Sequence, residues 1–317
     1  MVVHLLLLVL GVAGLTIAAD RFVLGAAQVA ARLQVSTVVT GALIIGFGTS
    51  APELVVSTLA ALTEGAEGTS LAMGNIVGSN VANLTLVLAI PTLVYEIVHI
   101  EEGVKRQAAL SACGVTVFAA LVFLVEPSAW WGVVLLILTL AALRAVLWLG
   151  DRFGGVPPPD TTEGVSPWIR TVVGLVGTVG FAYLVVRSAT SIADDLGWTG
   201  GFVGFALVAV GTSLPELVTA LAAARRGESG LILGNLLGSN LFNGLLVGAA
   251  VFLANGATPY DDASGLPDGL LLGMVVVSWI VIVMMRIGRQ ISRWEGTILI
   301  VAYAGLLAWL ATNFATA

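Results

Sequence analysis

The chain has 317 residues, 58% of them hydrophobic and 10% charged, with a mean hydropathy of +1.03. A water-soluble domain carries about 25% charged residues, so this chain cannot face water on all sides, and soluble enzymes, nucleic-acid binders and disordered chains are excluded. A net charge of −6 with 13 basic residues also speaks against a nucleic-acid partner and leaves the lipid bilayer as the medium.

The 38 glycines follow no three-residue period and lie inside Leu/Val/Ala runs, as in packed membrane helices. Cys113 is the only cysteine, so no intramolecular disulfide or thiolate metal site is expected. The stretch Met1 to Ala19 has no basic start and its apolar pattern resumes after Asp20-Arg21, which reads as a retained first span rather than a cleaved signal. Those two charged neighbours are expected to pair with each other.

At about 20 apolar residues per transmembrane helix, ten spans are expected, at roughly 4–30, 37–62, 70–95, 105–125, 129–149, 168–190, 200–224, 229–254, 268–287 and 295–314. The widest polar break, Gly150 to Pro167, contains Pro157-Pro158-Pro159 and cannot continue a helix. It divides the chain into a first five-helix half, 1–153, a linker, 154–167, and a second five-helix half, 168–317. Eleven of the 13 basic residues then fall in odd-numbered loops and their helix ends, from Arg32 to Arg293. The even loops hold Glu64, Glu67, Glu126, Asp194, Asp195, Asp261, Asp262 and Asp268. By the positive-inside rule the even loops and both termini lie outside.

Two motifs recur. Gly48-Thr49-Ser50-Ala51-Pro52-Glu53 returns as Gly211-Thr212-Ser213-Leu214-Pro215-Glu216, and Gly74-Asn75-Ile76-Val77-Gly78-Ser79-Asn80-Val81-Ala82-Asn83 returns as Gly234-Asn235-Leu236-Leu237-Gly238-Ser239-Asn240-Leu241-Phe242-Asn243. Five spans, an odd number, separate equivalent helices, so the expected fold is an all-α membrane protein of ten transmembrane helices in two inverted-topology five-helix repeats.

Glu53 and Glu216 are the acidic residues deep inside apolar spans. A charged group there costs about 2.5–3.5 kcal/mol on insertion scales and should face a partner or a water-filled cavity. Pro52 and Pro215 lack the N–H that would bond the carbonyls of Gly48 and Gly211, which opens those turns and leaves oxygens beside each carboxylate. Thr49 and Thr212 stand four residues before each glutamate and share its face, with Ser50 and Ser213 adjacent. In the second motif Asn75, Ser79 and Asn83, and likewise Asn235, Ser239 and Asn243, form a polar stripe at four-residue spacing. For Asn75, Asn80, Asn235 and Asn240 a hydrogen bond between helices competes with ion ligation. An all-oxygen set of this kind suits sodium, potassium or calcium and disfavours zinc or copper.

In these residues the chain resembles the sodium/calcium exchanger family of the cation/calcium antiporter superfamily, whose paired alpha-repeats contain both motifs. The resemblance implies a secondary active antiporter of the plasma membrane, not an enzyme, exchanging Ca2+ for Na+ by alternating access, with no cofactor beyond the transported ions. It puts the ion ligands on Thr49, Ser50, Glu53, Ser79, Asn83, Thr212, Ser213, Glu216, Ser239 and Asn243, together with the carbonyls of Gly46 and Ala209. It also implies that the first and sixth spans are long, tilted helices that slide against the core. An exchanger coupled to H+ or K+ is the alternative, although Gly78 and Gly238 stand where proton-coupled relatives carry a glutamate.

Overall fold

The computed structural model describes residues 2–63, 65–95, 97–98, 100–125, 128–153, 165–195, 211–254, 268–288 and 290–314. Helix α1 (Val2–Leu33) is followed by a broken helix: α2 (Thr37–Thr40), a π-helical stretch (Gly41–Gly46), α3 (Phe47–Thr49) and α4 (Ala51–Thr63). Then come α5 (Gly65–Ala82), a second π-helical stretch (Asn83–Val87), α6 (Leu88–Val94), α7 (Glu102–Leu124), α8 (Ala129–Phe153) and α9 (Pro167–Asp195). The remaining helical segments are α10 (Leu214–Arg225), α11 (Ser229–Phe242), a third π-helical stretch (Asn243–Val247), α12 (Gly248–Ala254), α13 (Asp268–Ile287) and α14 (Arg293–Phe314). Two strands of two residues, β1 (Ile97–Val98) and β2 (Gln290–Ile291), pair antiparallel outside the helices.

Among the described residues seven helices are long and apolar enough to cross a membrane, or eight if Thr37–Thr49 and Ala51–Leu62, which meet at 41°, form one bent span. The seventh expected span is described from Gly211 onward; residues 200–210, with the Ala209 carbonyl, lie outside the described set, as does most of the proline-rich linker. The bend in the second span has the cause expected of it. Pro52 sits in the first turn of α4, where a missing N–H costs nothing, and Ser50 before it leaves helical geometry at φ −84°, ψ 1°. Ser213 adopts the same angles, φ −85° and ψ 1°, ahead of Pro215.

Burial separates the helices into two kinds. In the most apolar window of Leu71–Val94, 78% of residues are buried, and in that of Ser229–Ala254, 83%, against 17% for α1. A helix that is apolar all round belongs at the centre, so α5 and α11 form the middle of the molecule. Helices α1, α8 and α9 instead expose Leu6, Val9, Ile137, Leu140, Val173 and Val176, which suits contact with lipid.

Helices α1 and α9 run antiparallel along most of their length, since His4 meets Asp195, Gly11 meets Val185, and Gly25 meets Thr171. At about 1.5 Å per residue their 32 and 29 residues span roughly 48 and 44 Å, more than the ~30 Å hydrocarbon core. A methyl group added at Gly174 would lie 2.5 Å from the backbone nitrogen of Phe22, so the two backbones touch with no side chain between them. A second such contact joins the stretch Gly41–Gly46 to α11. A Cβ at Gly41 would lie 2.8 Å from the Leu231 carbonyl, and one at Gly234 would lie 2.5 Å from the Val38 carbonyl.

Residues from both sequence halves share each hydrophobic core. One cluster joins Phe22, Ile45 and Leu88 to Leu231, Leu236 and Met285. The other joins Met73, Ile76, Phe118 and Leu135 to Leu241 and Phe252.

Asp20 does not pair with Arg21. Neighbouring helical residues point about 100° apart and cannot face each other. The Asp20 carboxylate instead accepts from Arg225 at 2.7 Å and Arg226 at 2.8 Å, both at the end of α10.

Candidate functional site

The two glutamates occupy equivalent places, each in the first turn of the helix that follows a Gly-Thr-Ser break, and both are fully buried. Ser50, three residues before Glu53, donates to Glu216 Oε1, which brings the two glutamate-bearing turns together. The second-motif segments contribute Ser79, Asn83, Ser239 and Asn243, all fully buried, of which Ser239 bonds to Glu216. Asn83 and Asn243 each open a π-helical stretch, a turn that is rare and concentrated at functional sites because it displaces the backbone bonding pattern. The motif sequences alone did not announce these turns.

The hydrogen bonds cross between the two motif copies. Ser50 of the first donates to Glu216 Oε1 of the second at 3.3 Å, and Ser239 reaches the same oxygen at 3.3 Å and the Gly46 carbonyl at 3.2 Å. Thr49 Oγ1 lies 3.2 Å from Asn235 Oδ1, and Thr212 Oγ1 lies 3.2 Å from Asn75 Oδ1. Ser79 and Thr212 bring their hydroxyls to 3.4 Å. Asn83 donates to Asn240 Oδ1 at 3.0 Å, and Asn240 in turn donates to the Asn80 carbonyl at 2.9 Å. Asn75, Asn235 and Asn240 therefore bond between segments, the competing use that the sequence left open. Ser57 and Thr219, which receive the amide protons of Asn75 and Asn235 at 3.0 and 3.1 Å, carried no sequence signal because neither belongs to a repeated motif.

Other buried oxygens have no hydrogen-bond partner among the described residues. Among them are both oxygens of Glu53, Oε2 of Glu216, Oγ of Ser213, and the side-chain oxygens of Asn83 and Asn243. A buried carboxylate without donors is costly unless a cation compensates it, and among the described residues no lysine or arginine bonds to either glutamate. Among the described residues no group of three or more His, Cys, Asp or Glu side chains could hold a metal ion. The site therefore offers two carboxylates and a surplus of neutral hydroxyl, amide and carbonyl oxygens, a donor set for a hard, weakly held cation. A cavity of about 500 Å³ lies against it, bounded by Pro52, Val55, Val179, Tyr183, Thr212 and Pro215.

Comparison with known proteins places the chain in a family. The family model described as sodium/calcium exchanger protein matches residues 3–148 and 166–312, taking in both copies of both motifs. CaxA of Alkalimonas amylolytica is 34% identical over 321 residues, covering 96% of this chain and 98% of its own. The sodium/calcium exchanger MaX1 of Methanosarcina acetivorans is 27% identical over 354 residues, covering 97% of this chain and 98% of its own. A solved structure of the sodium-calcium exchanger NCX_Mj, soaked with zero Na+ and Ca2+, superposes with a TM-score of 0.83 at 30% identity, covering 97% of this chain and 99% of that one. With its helices, its repeated motifs and nearly its whole length accounted for, the chain belongs to the sodium/calcium exchanger family.

Proposed function

We propose that this chain is a secondary active antiporter that exchanges Ca2+ for Na+ across the plasma membrane by alternating access at one shared site. Glu53 and Glu216 form the centre of that site, with Thr49, Ser50, Ser79, Asn83, Thr212, Ser213, Ser239 and Asn243 around them. The observation that carries this reading is the pair of fully buried carboxylates with no cationic side chain bonded to them. Two such charges match one Ca2+, and the surrounding oxygens extend the set toward the six to eight that calcium takes. The same carboxylates serve sodium, so the two ions compete and exchange rather than leak. A site without a cation keeps two buried negative charges, and the conformational step that carries it across the membrane is opposed by that desolvation cost.

The reading extends to the architecture. Ten spans fall into two five-helix repeats, 1–153 and 168–317, joined by 154–167 and inverted with respect to each other. The antiparallel course of α1 and α9, which hold equivalent places in the two halves, supports it. The pairing of β1 with β2 also supports it, since these strands lie in the third and ninth loops and an alternating topology puts those loops on one side. Both termini would then lie outside. Because α1 and α9 are long and lie toward lipid, they are the pair that slides past the central helices.

Calcium uptake into proteoliposomes preloaded with sodium, against matched potassium and proton loading, tests the coupling. Uptake is expected under an outward sodium gradient alone. Uptake indifferent to sodium but driven by potassium or protons would replace this reading with the other coupling.

A further inference from the structure

Asn75 and Asn235 lie outside the ion-ligand set, yet each joins three segments at the site. Asn235, on α11, takes Thr49 Oγ1 at 3.2 Å and gives its amide proton to Thr219 on α10 at 3.1 Å. Asn75, on α5, takes Thr212 Oγ1 at 3.2 Å and gives its amide proton to Ser57 on α4 at 3.0 Å. Both asparagines are buried. Each therefore ties the glutamate-bearing helix of its own repeat to the Gly-Thr-Ser turn of the other.

The chemistry at Thr49 gives this tie a purpose. Its hydroxyl has one proton and several oxygens within reach: the Ile45 carbonyl at 3.0 Å, the Gly46 carbonyl at 3.4 Å, Asn235 Oδ1 at 3.2 Å and the Glu216 carboxylate. A helical threonine left to itself bonds back to the preceding turn. With Asn235 as acceptor, that proton is turned from the Ile45 carbonyl to the crossing between the repeats, while the Gly46 carbonyl already accepts from the Ser50 amide and from Ser239. We infer that Asn75 and Asn235 are positioning residues for ion binding, each fixing the hydroxyl of the opposite repeat's threonine and thereby the place of the Gly-Thr-Ser turn that carries it. This rests on the ion site proposed above.

Two double-mutant cycles test it, Asn235→Leu with Thr49→Val and Asn75→Leu with Thr212→Val, read as Ca2+ affinity of the purified full-length protein and as KM for Ca2+ in proteoliposomes. Each single substitution is expected to weaken Ca2+ affinity several-fold, and each double variant to be no weaker than its worse single, because both changes remove the same link. Multiplying effects, or single variants with unchanged affinity, would overturn the inference. Where a leucine variant does not fold, Thr49→Ser against Thr49→Val decides: serine keeps the hydroxyl and should keep the affinity, and equal behaviour of the two would overturn the inference. Loss of sodium dependence in the unaltered protein would instead strike the proposed exchange, while leaving the Ca2+-affinity cycles readable.

Discussion

Glu53 and Glu216 come from motifs with nearly the same residues, and their surroundings differ. Glu216 is held by hydroxyls of the protein, Ser50 and Ser239 on Oε1 and Thr49 beside them. Glu53 has none of these: Ser213, which matches Ser50 in the repeat, leaves its oxygen without a partner, and Ser79, which matches Ser239, turns to Thr212. Duplication thus delivers equal composition without equal electrostatics. One carboxylate is partly satisfied by hydroxyls, and the other has no such partner among the described residues.

The largest effect should come from the glutamates themselves. Glu53→Gln and Glu216→Gln are each expected to abolish exchange while leaving a folded, monodisperse protein, because removing one charge from a buried constellation costs about 3–5 kcal/mol, or more than a hundred-fold in ion affinity. The comparison adds an order: Ca2+ affinity, measured by calorimetry, should fall further for Glu53→Gln. A larger loss for Glu216→Gln would show that the unsatisfied carboxylate is not the stronger ligand.

Next in size are the matched serines. A hydrogen bond to a charged group contributes about 1.5–3 kcal/mol, so Ser50→Ala should lower the melting temperature by several degrees in ion-free buffer. Ser213→Ala should leave the ion-free melting temperature unchanged and reduce only the increase that Ca2+ produces, since Ser213 has no hydrogen-bond partner among the described residues to lose. Equal melting shifts for the two variants without ion would erase the asymmetry. The smallest effect is expected at Asp20. Its pairs with Arg225 and Arg226 are partly exposed, and such pairs contribute at most about 1 kcal/mol, so Asp20→Asn should cost little stability, with the cost shrinking as salt is raised.

Much of this was legible in the chain. Apolar runs located helices such as α7, α8 and α13 to within a few residues, because a bilayer allows few alternatives to a continuous apolar helix. Pro52 and Pro215 marked the breaks, and the repeat pointed to the glutamates. Side-chain pairing across the repeats was not legible. Asn75 reaches Thr212 over 137 residues and Thr49 reaches Asn235 over 186, distances at which helical spacing says nothing. The same holds for Asp20, whose adjacent arginine was the obvious partner and the wrong one. The π-helical turns at Asn83 and Asn243 are likewise set by how α5 and α11 pack, not by residue type.

The glycine contacts have a consequence for motion. Where two backbones touch, neither helix can roll or slide without a clash, so α1 with α9 forms one stiff plank and the Gly41–Gly46 stretch with α11 forms another. Between these planks the contact is of another kind. Gly48, in the ion motif itself, faces the side chains of Leu175 on α9 and Phe22 on α1. A bare glycine against flexible or flat side chains has no ridge to lock, so shear is cheapest along this line. The seam passes beside Thr49 and Ser50, so under the proposed alternating access a displacement along it would reach the proposed ion ligands within two residues.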